Sequence, residues 1–193
     1  VLPGAPVLAA PGAPPGGIRE ADAERERLEA IASSLRAQLH EPAHLATLQD
    51  KIQIEVTRDG LRVQLVETGQ GVFFDVGSAR VKPATREVLS IIAHEIGRLP
   101  NQVVLEGHTD TRPYGGDPLP SYGNWELSAD RANAARRILD ACGLRPGQIE
   151  AVVGYADRRL ANAADPLDAA NRRISIIVRF REAPPRPAPA RAS

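Results

Sequence analysis

The sequence is poor in several things, and each shortage closes off a class of protein. It has one cysteine, Cys142, so no disulfide can form within the chain. That cysteine falls near the end of an apolar helix face, which predicts a buried thiol. Methionine is absent even from position 1, so the start reads as a processed or cut end. No apolar run reaches the 18 or more residues of a membrane-spanning helix. Val1–Leu8 also lacks the basic flank and the length of a signal peptide. Net charge is zero, which argues against nucleic acid as a partner, because phosphate binding needs a basic surplus. Aromatic residues are only 4%, so the core must come from Leu, Ile, Val and Ala.

What remains is the profile of one globular domain with extensions: 193 residues, 42% apolar and 25% charged. Residues 1–17 are rich in Pro, Gly and Ala and read as a linker. Residues 182–193, with Pro184, Pro185, Pro187 and Pro189, read as a Pro-rich tail of the same kind. Residues 18–51 form a helical segment, and residues 52–181 form the domain proper.

Within 18–51, Leu28, Ile31, Leu35 and Leu39 recur at helical spacing over Ala21–Leu39. So narrow a stripe suits docking on its own domain, a dimer contact or a regulatory helix. Ile52–Thr57 and Leu61–Glu67 alternate on either side of Arg58-Asp59-Gly60, the signature of a hairpin. Pro83 opens a helix running to about Leu99, with Val88, Leu89, Ile92 and Ile96 inward. Val103-Val104-Leu105 reads as a strand buried on both faces.

A long Gly/Pro loop, Thr111–Gly123, follows. Ser128 then caps a helix that places Leu127, Ala135, Ile138 and Leu139 inward and stops at Gly143. Ala151–Tyr155 and Arg173–Phe180 are the last strands. Hairpin, helix, strand, helix, strand, strand predicts an α/β sandwich of the α+β kind, with helices packed on a mixed sheet.

Two residues carry the functional argument. Asp110 ends the stretch Glu106-Gly107-His108-Thr109-Asp110 at the carboxyl end of a strand, where ligands of α/β sheets bind. Arg131 falls in the first turn of a helix that starts at Ser128, where a cation opposes the helix dipole. It therefore needs a compensating anion, either Asp130, Asp110 or a ligand carboxylate held by a two-pronged guanidinium. Together, Asp110 and Arg131 would suit a zwitterion such as the free amino acid end of a peptide.

These residues also stand in a familiar order. Glu106-Gly107-His108-Thr109-Asp110, Asn124, Leu127-Ser128-Ala129-Asp130-Arg131-Ala132 and Asn171-Arg172-Arg173 resemble the signature of the OmpA-like peptidoglycan-binding family. Phe74-Asp75, Ser78-Ala79 and Pro83 resemble that family's opening, and the likeness spans about Gly71 to Phe180. The resemblance implies non-catalytic binding of peptidoglycan through the diaminopimelate of its stem peptide, with no cofactor. Asp110 would take the ligand ammonium and Arg131 its carboxylate. Thr109, Asn124 and Leu127 would shape the pocket, Asp75 would contribute through its backbone, and Asn171 and Arg172 would complete it.

Asn124-Trp125 through Arg136-Arg137, with the insert Arg112-Pro113-Tyr114-Gly115-Gly116, is most similar to the MotB-type flagellar stator subgroup. That implies the periplasmic domain of an inner-membrane protein, a homodimer, and a MotA-type stator partner reached through a membrane segment outside this sequence. Two other readings stand beside it. One is a different OmpA-like anchor, such as an outer-membrane protein or lipoprotein. The other is a metal-dependent hydrolase, because Glu106, His108 and Asp110 alternate along a strand and three such groups can hold zinc.

Overall fold

A computed structural model describes residues 15–69, 71–114 and 122–181. The expected linker and tail therefore lie largely outside the described residues, as does the middle of the long loop. The elements run α1 (Pro15–His40), a 3-10 turn at Ala43–Leu45, α2 (Ala46–Gln49), β1 (Ile52–Val56), β2 (Gly60–Val66) and α3 (Pro83–Ile96). They continue with β3 (Val103–His108), α4 (Asn124–Cys142), β4 (Ile149–Gly154), a second 3-10 turn at Ala169–Asn171 and β5 (Arg173–Arg179).

The strands form one mixed sheet in the order β1-β2-β5-β3-β4, in which only β3 and β4 run parallel. The last strand thus inserts between the hairpin and β3. Its register lines up the apolar positions: Leu61 and Val103 both lie opposite Val178, Val63 and Leu105 opposite Ile176, and Leu65 opposite Ile174. All eight are buried and meet Val88, Leu89, Ile92 and Ile96 of α3 in one core. On the other face of the sheet Val104 is only half-buried. The expectation of burial on both faces of β3 fails there, because a continuous apolar run does not say how many faces are covered.

The hairpin turns where expected, and Gly60 (φ +136°) is needed for a second reason: a Cβ there would meet the Val178 carbonyl at 2.0 Å. Helix α1 starts at Pro15, six residues before the expected Ala21. Its apolar stripe docks on its own domain: Leu28, Ala32, Leu35 and Leu39 are buried, and the helix packs on α3, β1 and β2. Each such leucine contributes about 1.5–3 kcal/mol. Cys142 is half-buried against the core rather than enclosed.

Helix α4 differs most from expectation. It begins at Asn124, with Gly123 as N-cap and the Glu126 carboxylate accepting the Gly123 N–H at 2.8 Å. Ser128 therefore caps nothing. It is buried in the second turn, where its hydroxyl donates to the Trp125 carbonyl and accepts the Ala156 N–H. The helix lies close against the sheet, since a Cβ on Gly107 would sit 1.9 Å from the Ser128 carbonyl oxygen. This approach brings the third turn of α4 beside the end of β3.

Candidate functional site

A cleft of about 510 Å³ opens beyond the carboxyl end of β3. Its floor is Thr109 and Asp110, its walls are Leu127 and Arg131 of α4 with Arg172 just before β5, and its rims are the loops at 69–77 and 112–114. Two expected residues, Asp75 and Asn171, do not line it.

Asp110 is 4% exposed. Its Oδ1 accepts the Arg112 backbone N–H at 3.1 Å, and its Oδ2 accepts Arg172 Nη1 at 2.6 Å and Arg112 Nη1 at 3.4 Å. Arg172 also donates to the Thr68 carbonyl at 3.0 Å, so it bridges the start of β5 to the loop after β2.

Arg131 is equally buried, 5% exposed, but among the described residues it bonds to no carboxylate. Its Nε donates to the Ser78 carbonyl at 2.9 Å, its Nη2 reaches the Asp75 carbonyl at 3.5 Å, and its plane lies over the Phe74 ring at 5.2 Å. Burial draws its pKa downward, opposed by the nearby Glu67 and Asp110 charges. The dipole argument fails, because Arg131 sits in the third turn and the helix field is strongest in the first. The expected need for an anion has another source: a buried guanidinium whose described partners are neutral.

The remaining expected residues divide. Asn124 donates to the Asp110 carbonyl at 3.3 Å and the Arg112 carbonyl at 2.9 Å, tying the helix start to the loop. Thr109 lines the cleft, and its buried hydroxyl has no hydrogen-bond partner among the described residues. Asp75 acts through its backbone carbonyl, while its carboxylate lies 3.7 Å from Arg80. Asn171 is fully buried and structural: its amide and carbonyl groups bond Asn162 and the Asp165 carbonyl, closing the 162–171 loop.

The metal constellation comes apart in the same geometry. The side chains of Glu106 and His108 lie 3.5 Å apart, and His108 stacks on Tyr155 with ring centroids 5.3 Å apart. Asp110 instead turns into the cleft toward Arg172.

Sequence reasoning missed Glu67. This carboxylate, 4% exposed, lines the cleft and accepts the backbone N–H groups of Val72, Phe73 (3.0 Å) and Phe74 (2.9 Å). It thereby shapes the turn that carries Phe74 under Arg131. The signal was present, because Leu61, Val63, Leu65 and Glu67 continue one inward-facing alternation. Tyr114 was missed too: its hydroxyl donates to the Gly77 carbonyl at 2.9 Å and joins the two rims. Its ring meets that of Tyr122, whose phenol is pushed up to about 12 by burial and the Asp130 carboxylate.

The OmpA family model matches residues 73–173, more than half of the chain and eleven of the fourteen residues that line the cleft. The chain belongs to the OmpA family. This OmpA-family chain is 39% identical over 160 residues to Motility protein B of Escherichia coli K12. The match covers 83% of this chain and 52% of that relative, so the chain spans about half its length. Among solved structures, the cell wall anchor of the T6SS from Pseudomonas aeruginosa shares 29% identity with a TM-score of 0.56, covering 68% of this chain and 90% of that one. A MotB-like protein from Desulfovibrio vulgaris superimposes with a TM-score of 0.62 at 21% identity, over 82% of this chain and 99% of that one, which supports the fold. The α+β architecture expected of this family, helices on a mixed sheet, is the one observed.

Proposed function

We propose that this OmpA-family domain binds peptidoglycan without cutting it and anchors a flagellar motor stator to the cell wall. The observation that carries the reading is a cleft that buries the Asp110 carboxylate, open to exchange of its Arg112 partner, beside the Arg131 guanidinium, whose hydrogen-bond partners among the described residues are backbone carbonyls. That pairing suits a zwitterionic end such as the one diaminopimelate gives a stem peptide. Asp110 takes the ammonium, and Arg131 offers its remaining donors to the carboxylate. Thr109, Asn124 and Leu127 shape the cleft, Asp75 and Asn171 hold its surroundings, and Arg172 holds Asp110. The stator role rests on the likeness to Motility protein B.

On this reading residues 52–181 are the binding unit, residues 18–51 join it to the preceding linker, and the domain works in the periplasm as part of an inner-membrane protein. Its partners there are a second copy of itself and a MotA-type subunit. Among the described residues no helix is long and apolar enough to cross a membrane. The test is co-sedimentation with purified sacculi, followed by analysis of the supernatant. The protein is expected to pellet with sacculi and release no soluble muropeptides. Muropeptide release above a buffer control, or failure to pellet, overturns the reading.

A further inference from the structure

If Asp110 receives a ligand ammonium, as the reading above holds, the structure shows an obstacle. The Asp110 side chain is only 6% exposed, so something must move before a cation from solvent can touch it. Two guanidinium groups cover the carboxylate, and they are held unequally. Arg172 donates at 2.6 Å, is anchored a second time at the Thr68 carbonyl, and has a side chain only 16% exposed. Arg112 reaches the same Oδ2 at 3.4 Å, well beyond the usual length of a charge-assisted bond, and its side chain is 57% exposed. Among the described residues its other anchor is one backbone carbonyl, that of Leu167, at 3.0 Å. Ion pairs this exposed hold little free energy.

We propose that Arg112 is the gate of the cleft: its guanidinium occupies the place on Asp110 that the ligand ammonium takes, and it swings away when the ammonium arrives. The exchange replaces one cation with another on a single lone-pair site. The Arg112 backbone N–H and Arg172 keep their own bonds to Asp110 throughout. Glu67 is committed elsewhere: three backbone amides bond its carboxylate, and none of these donors is an exposed side chain that could swing away. Arg112 thus differs in kind from Arg131 and Arg172: it opposes binding, and its loss should help.

The experiment measures binding of a soluble disaccharide tripeptide ending in meso-diaminopimelate, by calorimetry and stopped flow. The wild-type chain, Arg112→Ala and Arg112→Gln are compared, and the same ligand with its free amino group acetylated serves as control. Both variants are expected to bind the amine ligand roughly two- to fivefold more tightly, mainly through faster association, as expected for losing an exposed ion pair. The acetylated ligand gains nothing from either variant. Weaker binding by the variants would mean that Arg112 holds a ligand carboxylate, and would overturn the gate. Equal binding by all three proteins would overturn it as well, while leaving the peptidoglycan reading intact. Failure of all three to bind the amine ligand would defeat both.

Discussion

Asp110→Asn offers the sharpest separation of scaffold from site. Asparagine keeps the size of the side chain and can still accept the Arg112 N–H, but it removes the charge facing Arg172. A hydrogen bond to a charged group contributes about 1.5–3 kcal/mol. The Arg172 contact is short and mostly buried, so screening discounts it little, whereas the exposed Arg112 contact adds almost nothing. A loss of about 2 kcal/mol follows, which for a domain of this size lowers Tm by roughly 4–8 °C.

The assay is thermal unfolding of Asp110→Asn, Arg172→Gln and Arg131→Gln with the corresponding double mutants. Asp110 should couple strongly to Arg172 and only weakly to Arg131, whose bonds go to the Ser78 and Asp75 carbonyls. Sacculus binding on the same preparations should fall for folded Asp110→Asn beyond what its unfolded fraction explains. Coupling to Arg131 as large as that to Arg172 would refute this assignment of partners. Unchanged affinity of the folded Asp110→Asn protein would remove Asp110 from the binding contacts.

Two further outcomes test the frame around the cleft. Gly107→Ala would push a methyl group to within 1.9 Å of the Ser128 carbonyl, so α4 must shift; a cost of about 3 kcal/mol in urea unfolding is expected, and a loss under about 1 kcal/mol would show that the helix is not held this close. Burial keeps the pKa of His108 below its ordinary value despite the neighbouring Glu106, with Arg173 and Arg159 acting in the same direction as burial. As pH falls below about 6.5 the unfolded chain gains a proton that the fold resists, so stability should decline with falling pH. The urea midpoint of His108→Gln should drop less than that of the wild type between pH 7.5 and 5, and parallel declines would exclude His108 as the source.

The legible parts of this fold were those with a local period. Alternation found the hairpin and the inward face of β5, and the spacing of Val88, Leu89, Ile92 and Ile96 found the buried side of α3. The start of α4 was misread because Ser128 followed by Asp130 looks like a helix opening. The working signal was quieter: Gly123 and Glu126, three apart, form the backbone half of a capping box. That error carried over to Arg131, which the sequence put in the wrong turn for the wrong reason. Asp110 and Arg131 share a cleft because β5 inserts beside β3 and α4 lies on Gly107, and no local pattern encodes either event. For the same reason the partner of Asp110 was not foreseen: Arg172 lies 62 residues away in sequence. Glu67 could have been found, since an acid on the inward parity of a strand asks for an explanation.

Glu24 of α1 accepts hydrogen bonds from the Asn101 side chain at 2.7 Å and from the Arg181 N–H at 3.1 Å. The incoming and outgoing segments of the domain are thus tied together at the end of the sheet where β3 begins, while Asp110 lies just past the end where β3 stops. A pull between an occupied cleft and either chain end is therefore directed along β3, a strand of roughly 20 Å. That strand is hydrogen-bonded on both sides, to β5 and to β4. Tension applied this way loads the backbone bonds of both ladders together in shear instead of opening them one at a time. With a ligand in the cleft, the domain would be strung like a link loaded along a strand that is paired on both of its edges.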